Sequence, residues 1–253
     1  LSTHDIRYIN NLANLTMSKN EARSIGFPLT SALIEREKKI IQGTIESALY
    51  SLDHNVSLNI AGGTHHAHYD FGSGFCVFND LAYTALHLIR QQLVKKILIF
   101  DCDVHQGDGT ATILQNVDQV LTISVHCQQN FPFRKSKSDY DLELPADAGD
   151  EEILAMVATA LEITKQFDPE LILFQAGVDG LATDTLGKLN ISRQGMSKRN
   201  EMVFDLAVDQ LIPTVVFMGG GYSDPISHTI DAFSDLFLSA SKANELILSK
   251  ANL

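Results

Sequence analysis

The sequence is poor in three features that would each point to a particular class of protein. Its 253 residues include only 3 cysteines, and 19 Lys and Arg residues stand against 31 Asp and Glu residues. No apolar run reaches the roughly 18 residues that suggest a membrane-spanning helix. The chain also does not open with a basic stretch followed by an apolar one. We therefore expect neither a membrane protein nor a secretory signal peptide.

The shortage of basic residues and cysteines restricts the function further. A net charge of −12 argues against a broad nucleic-acid-binding surface, which needs a basic patch, although it is compatible with a cationic substrate. Cys76, Cys102 and Cys127 show no Cys-x-x-Cys spacing and are odd in number. We expect reduced cysteines in a cytoplasmic protein that binds no nucleic acid directly. The sequence gives no indication of the oligomeric state.

The chain does contain a regular alternation of apolar runs and helical patterns. The strand-like runs lie at 57–61, 95–103, 119–126, 170–177 and 213–221. Helical periodicity is found at 80–93, 151–167, 199–211 and 225–242. Runs that are apolar on both faces and separated by helices indicate a parallel sheet covered on both sides. We predict one α/β domain over residues 1–253, which is an ordinary length for such a domain.

Polar residues follow four of the predicted strands. Ligands of open α/β sheets bind beyond the carboxyl ends of the strands, so these residues are candidates for a functional site. If the sheet is parallel, they converge on one edge. The candidates are His65, His66, Asp101, Asp103, His105, Asp108, Asp179 and Tyr222.

The segment DCDVHQGDG, residues 101–109, indicates a metal site. Asp101, Asp103 and His105 occupy alternate positions and can point to one side of an extended chain. Buried together they would repel one another, and a divalent cation removes that cost. Two carboxylates and an imidazole suit Zn²⁺ with one position open for water, and Asp179 is the best third ligand.

A simpler interpretation of the same segment is an Asp-rich turn that caps a helix at 109–116. Asp108 or Thr110 would then be the capping residue. Capping does not account for the alternating acidic residues and His105, so we favour the metal site.

The adjacent histidines of GGTHH, residues 62–66, would have a catalytic role beside such a metal. Loop histidines are usually only solvated, but His65 and His66 can serve as an acid/base pair for a metal-bound water. Asp101 and Asp108 are then available to orient them. Tyr222, after three glycines, can donate a hydrogen bond to a developing oxyanion, whereas the alternative is a half-buried loop tyrosine.

Four motifs occur in a fixed order along the chain: GGTHHAHYDFGSGFCVFND, DCDVHQGDGTA, AGVDGLATDTLG and GGGY. Together they resemble the zinc-dependent histone deacetylase family, which has the arginase/deacetylase α/β fold. The resemblance spans nearly the whole chain, and Gln106 in HQGDG is most similar to the class IV branch and its bacterial relatives. Family members carry further residues before the position of His4, so the resemblance implies that the N-terminal part of the domain is missing.

The resemblance implies a role for each matching residue of the catalytic centre. His66, paired with Asp108, would be the general base and then the general acid, and His65, paired with Asp101, would give electrostatic support. Tyr222 would bind the substrate carbonyl oxygen. The implied zinc ligands are Asp103, His105 and Asp179.

It also implies a substrate channel and a second cation. The channel for the lysine side chain would be formed by Gly74, Phe75, Phe131, Gly220 and Gly221. A structural potassium ion would be bound by main-chain oxygens of Asp101, Asp103, His105 and Val125 and by the hydroxyl of Ser124.

The expected activity is zinc-assisted hydrolysis of acetyl or longer acyl groups from lysine ε-amines. The substrate would be an acylated protein or a small acylated amine. One alternative is an acetylpolyamine or other small-molecule amidohydrolase on the same fold. Two others are an arginase-like enzyme with two metal ions and, less favoured because the catalytic set is intact, a non-catalytic acyl-lysine binding module.

Overall fold

A sheet of six parallel strands runs through the computed structural model, which describes residues 2–251. Every neighbouring pair of strands is parallel. The strands are β1 (Val56–Asn59), β2 (Ile97–Asp101), β3 (Val120–Cys127), β4 (Tyr140–Leu144), β5 (Leu171–Gln175) and β6 (Thr214–Phe217). Their order across the sheet is β1-β6-β5-β2-β3-β4.

Eight helices accompany the sheet within the described residues. They are α1 (Ile6–Ala13), α2 (Lys19–Ile25), α3 (Ser31–His54), α4 (Asp80–Arg90), α5 (Asp108–Leu114), α6 (Asp150–Phe167), α7 (Arg193–Gln210) and α8 (Ser227–Ala251). None of the helices in residues 2–251 has both the length and the apolar character needed to cross a bilayer.

The central strands are buried on both faces because successive side chains of a strand point in opposite directions. Phe100 of β2 packs in a core with residues of α6, α7 and α8. Ile99, its neighbour, packs in a second core with residues of α3, α4 and α5. The predicted α/β class, with a parallel sheet covered by helices on both faces, is therefore confirmed.

The three central strands end at the same edge of the sheet. Asp101 at the end of β2 is level with Gln175 of β5, which is level with Phe217 of β6. The segments that follow these three residues therefore leave the sheet side by side. This register brings together groups that are more than 100 residues apart in the chain, such as Asp103 and Gly220.

Some elements differ from the sequence prediction. No helix was predicted before residue 55, where α1, α2 and the long α3 lie, and β4 was also not predicted. β4 is an edge strand in which only Leu144 is buried, so it lacks the apolar run of the other strands. α7 begins at Arg193 rather than 199 because Ser192 caps it, its side chain accepting from the Gly195 N–H. α8 continues nine residues beyond the predicted end at 242.

Candidate active site

Three ligand-type side chains meet beyond the ends of β2 and β5. The Nδ1 atom of His105 lies 2.9 Å from Oδ1 of Asp103 and 3.1 Å from Oδ2 of Asp179. Both aspartates are buried, and His105 is partly exposed. Within residues 2–251, this is one group of His and Asp donors placed to bind a single metal ion, with all donor atoms within 4.8 Å of one another.

Backbone N–H groups fix the orientation of both carboxylates. Val104 N–H donates to Oδ1 of Asp179 at 2.8 Å, and Gly220 N–H donates to Oδ2 of Asp103 at 2.8 Å. The other oxygen of each carboxylate faces His105. The segments after β2 and β6 therefore hold the donor atoms in place before any ligand binds.

The electrostatics of this group favour a positive charge at its centre. Burial and the Asp103 carboxylate raise the pKa of Asp179 to about 7, although His105 acts in the opposite direction. Burial opposes protonation of His105, but Asp103 and Asp179 outweigh it and raise the pKa of His105 to about 10. Either a shared proton or a divalent cation can supply the positive charge that the buried carboxylates require.

His65 forms the first of two His–Asp pairs beside this group. Its Nδ1 atom lies 2.6 Å from Oδ2 of Asp101, and its Nε2 atom lies 3.9 Å from Oδ1 of Asp103. Burial opposes protonation, but these two carboxylates outweigh it and raise the pKa of His65 to about 9. Oδ1 of Asp101 also accepts from the Asp103 N–H at 3.1 Å. This pair therefore places a positive imidazolium next to the candidate metal ligands Asp103, His105 and Asp179.

His66 forms the second pair, in which Nδ1 lies 2.7 Å from Oδ1 of Asp108. Burial and the charge of His65 lower the pKa of His66 to about 4, against the effect of Asp108. The ring of Phe131 meets the His66 ring edge-on, with centroids 5.0 Å apart. Because Nδ1 is engaged by Asp108, Nε2 of a neutral His66 is the nitrogen that can accept a proton.

The interpretation of Asp108 or Thr110 as a helix cap is wrong. α5 begins after Gly107 without any side-chain cap. Asp108 faces His66 instead, and the Thr110 hydroxyl accepts from the side-chain amide of Asn79 at 3.0 Å.

Asn79 and Asp80, at the start of α4, hold the loop that carries His65 and His66, and no role was predicted for either. The Asp80 carboxylate accepts from the N–H groups of Gly63 at 3.0 Å and Thr64 at 2.7 Å. The Asn79 amide donates to the Ala67 carbonyl at 3.1 Å. A signal was available, because Asn-Asp directly before an apolar helical pattern is typical of a helix start whose side chains bind backbone N–H groups.

Arg199 of α7 is a second unpredicted contributor. It is 1% exposed, and its guanidinium donates to the carbonyls of Gly177 at 2.7 Å and Cys102 at 3.1 Å. These carbonyls belong to the segments that carry Asp179 and Asp103. No sequence signal marked this residue, because an arginine within a helix is usually exposed to solvent.

A cavity of about 750 Å³ is lined in part by the candidate metal ligands Asp103, His105 and Asp179. The wall includes most of the residues that the sequence analysis assigned to the channel. Gly221 is the exception, because it lines a separate pocket, and a Cβ added there would meet Val178, Thr229 and Phe233. The predicted residues that line the cavity are His65, His66, Gly74, Phe75, Asp103, His105, Phe131, Asp179, Gly220 and Tyr222.

Gly74 is required by the close approach of the histidine ring. Its φ is +52°, and a Cβ at this position would lie 2.6 Å from Cδ2 of His66. Phe75 follows, is 54% exposed and packs edge-on against Phe27 at a centroid distance of 5.2 Å. The cavity wall at this point therefore combines a glycine that leaves room for the imidazole with an aromatic ring at the rim.

Tyr222 stands on the rim of the same cavity, where it is 51% exposed. Its backbone N–H donates to Oδ2 of Asp184 at 2.6 Å, which fixes the loop after the three glycines. Burial and the carboxylates of Asp103 and Asp179 raise the pKa of Tyr222. The phenol therefore keeps its proton at neutral pH and can act as a hydrogen-bond donor.

Two of the residues predicted for a potassium ion are neighbours across the sheet. Ser124 of β3 is level with Asp101 of β2, and Val125 is buried next to it. The Ser124 hydroxyl lies 3.0 Å from Nδ1 of His126. Asp103 and His105 belong to the segment that follows β2, and the potassium site stays a prediction.

Comparison with known proteins gives a consistent assignment. Residues 1–234 match the family model described as the histone deacetylase domain. The chain therefore belongs to the histone deacetylase family, as the motifs predicted. It is 39% identical over 224 residues to an uncharacterized protein of Picosynechococcus sp., covering 88% of this chain and 75% of the relative. It is 30% identical to histone deacetylase 2 of Arabidopsis thaliana, covering 88% of this chain and 60% of the relative.

A third relative is histone deacetylase clr6 of Schizosaccharomyces pombe, at 32% identity over 82% of this chain and 55% of the relative. The chain thus spans little more than half the length of these two named deacetylases. Among solved structures, it is similar to an acetylpolyamine aminohydrolase from Burkholderia pseudomallei, with a TM-score of 0.79 and 19% identity over 94% of this chain and 81% of that one. This likeness confirms the arginase/deacetylase fold.

Proposed function

We propose that the protein is a zinc-dependent hydrolase that removes acetyl or longer acyl groups from lysine ε-amines. The observation that carries this proposal is the placement of the Asp103, His105 and Asp179 group and of two His–Asp pairs around one cavity. A binding module needs no neutral imidazole next to a metal site, whereas amide hydrolysis needs both.

The donor set of Asp103, His105 and Asp179 fits zinc. Two carboxylates and one imidazole are ligands that Zn²⁺ accepts, and three protein ligands leave a fourth position open, as in catalytic zinc sites. The donor atoms lie 2.9 and 3.1 Å apart. All three donor atoms lie within 4.8 Å of one another, close enough that they could bind one ion. When bound, zinc would polarise the acyl carbonyl and lower the pKa of water.

The chain's own residues would then carry the proton transfers. Neutral His66 accepts a proton at Nε2 from the attacking water while Asp108 holds Nδ1. The same nitrogen returns that proton to the departing amine. Tyr222 donates its phenol proton in a hydrogen bond to the oxygen on which negative charge develops, and the nearby His65 imidazolium stabilises that charge.

The cavity wall would hold the substrate. Phe75 and Phe131 line the cavity with aromatic rings, and Gly74 lines it without a side chain next to the His66 ring. These apolar walls suit the methylene groups of a lysine side chain, which bury well against aromatic rings. Gly220 contributes a wall without a side chain, because a Cβ there would collide with Asp179.

An acetylpolyamine or another small acylated amine remains the second candidate substrate. The solved structure of the Burkholderia enzyme shares the fold of this chain. The net charge of −12 suits a cationic polyamine as well as an acyl-lysine segment of a protein. An arginase-like enzyme with two metal ions is disfavoured, since the described residues offer one group of ligands rather than two.

The proposal has three further parts. We place a structural potassium ion at the oxygens of Asp101, Asp103, His105, Ser124 and Val125. We place the protein in the cytoplasm, because Cys76, Cys102 and Cys127 are all free thiols. We treat residues 1–253 as one catalytic domain, since α8 continues beyond the family match and packs along α7.

Zinc content and substrate choice test the proposal together. The zinc-loaded protein is assayed against lysine peptides with acyl groups of graded length and against acetylpolyamines. Asp179→Ala should lose both zinc, measured by elemental analysis, and hydrolysis, while the exposed-residue control Asp118→Ala should keep both. Full zinc occupancy in Asp179→Ala would contradict the ligand assignment. Two zinc ions per wild-type chain would favour the bimetallic alternative.

A further inference from the structure

His68, the third histidine of THHAH, contacts the same carboxylate as His66. Its Nε2 atom lies 3.1 Å from Oδ2 of Asp108, while His66 occupies Oδ1 at 2.7 Å. Nδ1 of His68 lies 2.9 Å from the Thr112 hydroxyl, and the ring stacks on Phe71 with centroids 4.2 Å apart. Contacts on both ring nitrogens and on the ring face hold this imidazole in one orientation.

The chemistry of the partners sets the direction of the hydrogen bonds. An ionised carboxylate only accepts, so Nε2 of His68 must donate to Asp108. The Thr112 hydroxyl lies 3.0 Å from the Gly109 carbonyl, to which it donates while accepting from a protonated Nδ1. A rotated hydroxyl would instead donate to an unprotonated Nδ1. The bond from His68 to Asp108 is therefore compatible with both the neutral and the cationic imidazole.

The two donors together keep Asp108 ionised and fixed. Burial alone would favour the neutral acid, but hydrogen bonds from His66 and His68 hold the pKa of Asp108 well below its usual range. The carboxylate cannot rotate about its Cβ–Cγ bond without weakening both hydrogen bonds. The orientation of Oδ1 toward His66 thus depends on what holds Oδ2.

The other pair shows that this arrangement is not the only way to fix an orienting aspartate. Asp101 bonds His65 through one oxygen and accepts from the Asp103 N–H through the other. In that pair the backbone supplies the second donor. At Asp108 the imidazole of His68 fills the position that a backbone N–H fills at Asp101.

We infer that His68 is a positioning residue that acts on the reaction through Asp108, an inference that rests on the proposed function. His68 does not line the cavity, so it would leave substrate binding unchanged. It sets the geometry of Asp108 and, through it, the direction in which Nε2 of His66 points. Outer partners of metal-site residues typically contribute about 10- to 100-fold in activity, and His68 falls at the lower end because it acts through two residues.

Steady-state kinetics test this inference. His68→Ala should lower kcat about tenfold and leave KM within about twofold, because only the orientation of the base is lost. His68→Gln should recover most of kcat, since its amide can still donate to Oδ2. His54→Gln is the matched control, because His54 also stacks on an aromatic ring, Tyr50, but bonds a carbonyl rather than an acid. Unchanged kcat in His68→Ala would overturn the inference.

A double-mutant cycle distinguishes positioning from a general structural role. If His68 acts only through Asp108, His68→Ala should have no further effect on kcat in an Asp108→Asn background. An equal loss in both backgrounds would show that His68 does not act through Asp108.

A second cycle keeps the inference testable without turnover. If the wild type hydrolyses no acylated lysine or polyamine, the proposed function fails, and the contact is then tested by urea unfolding. His68→Ala should shift the unfolding midpoint less than half as far in the Asp108→Asn background as in the wild type. Equal shifts would mean that His68 and Asp108 are not coupled, which would overturn the inference on its own.

Discussion

The two His–Asp pairs are nearly identical in local geometry and opposite in electrostatic behaviour. The hydrogen bonds from His65 to Asp101 and from His66 to Asp108 measure 2.6 and 2.7 Å, and both imidazoles are buried. Yet the pKa of His65 is raised to about 9 and that of His66 is lowered to about 4. A short hydrogen bond to a carboxylate therefore does not by itself decide whether a buried histidine is charged.

The surroundings of each pair explain the difference. His65 lies near a second carboxylate, that of Asp103, and both acids favour its proton. His66 lies next to the positive charge of His65, and its partner Asp108 is shared with His68. The first pair is thus suited to hold a charge and the second to gain and lose a proton.

The largest expected effect comes from breaking the second pair. His66→Ala should lower kcat by about 10²- to 10⁴-fold, because a general acid–base group contributes that much. The zinc content should remain full, since His66 is not among the proposed ligands. His65→Ala should cost less, as its role is electrostatic. If His65→Ala proves the more damaging change, the roles of the two pairs are reversed.

The role of Tyr222 can be tested by a change that leaves both His–Asp pairs intact. Tyr222→Phe keeps the ring but removes the hydroxyl, so kcat should fall by about 10²- to 10³-fold with little change in KM. Circular dichroism and zinc analysis serve as controls for folding and metal content. Unchanged turnover at full zinc occupancy would mean that Tyr222 merely fills space.

His4 is a third buried histidine to compare with His65 and His66, and its ring nitrogens contact backbone groups rather than a carboxylate. Burial lowers its pKa from 6.5 to about 4, and Nε2 accepts from the Asn79 N–H, which requires the neutral ring. The unfolded chain therefore binds more protons between these two pKa values, so stability is complete above about pH 6.5 and falls as the pH drops toward 4. This one group should cost about 3 kcal/mol of unfolding free energy by pH 4.

Urea unfolding between pH 4 and 7 measures this loss. His4→Gln keeps a donor and an acceptor but cannot be protonated, so its stability should depend less on pH than that of the wild type. His54→Gln, at an exposed position, should retain the wild-type slope. Parallel slopes for the wild type and His4→Gln would refute the assignment.

The smallest expected effect separates the two orienting aspartates by their influence on the metal. Asp101→Asn should weaken zinc binding by about 10- to 100-fold, because Asp101 also holds the backbone N–H of the ligand Asp103. Asp108→Asn should leave zinc affinity within about twofold, since the side-chain hydrogen bonds of Asp108 among residues 2–251 go to His66 and His68 rather than to a proposed ligand. Competition with a chromogenic chelator gives both affinities, and equal losses would contradict the division between the pairs.

Much of the fold was predictable because the central strands are continuous apolar runs. β2, β5 and β6 lie within predicted segments, and β3 extends one residue beyond its segment, as a strand buried on both faces has little polar sequence. β4 was missed because its exposed edge position removes that signal. The start of α7 was missed because it is marked by the single cap Ser192 rather than by apolar periodicity.

The residues of the candidate site were predictable, but the residues that hold the backbone around the site were not. The strand-end rule located the Asp and His residues, and the structure brings Asp103, His105 and Asp179 together as that rule predicts. Arg199 was not found, because it acts on backbone groups far away in the sequence. The local signal at Asp80 indicates the start of a helix, but it does not indicate that the carboxylate accepts from the Gly63 N–H. No local pattern encodes a hydrogen bond between segments that meet only after folding.

The sequence by itself determined the α/β class, the family and the identity of the polar residues at the strand ends, because apolar periodicity and motif spacing are local properties of the chain. Only the tertiary structure decided which histidine is charged. His65 and His66 are adjacent in sequence and similarly buried. Their pKa values differ because the fold places Asp103 beside His65, whereas His66 lies beside the imidazolium of His65. Electrostatic energy depends on distances in space, and those distances are fixed by the register of β2, β5 and β6.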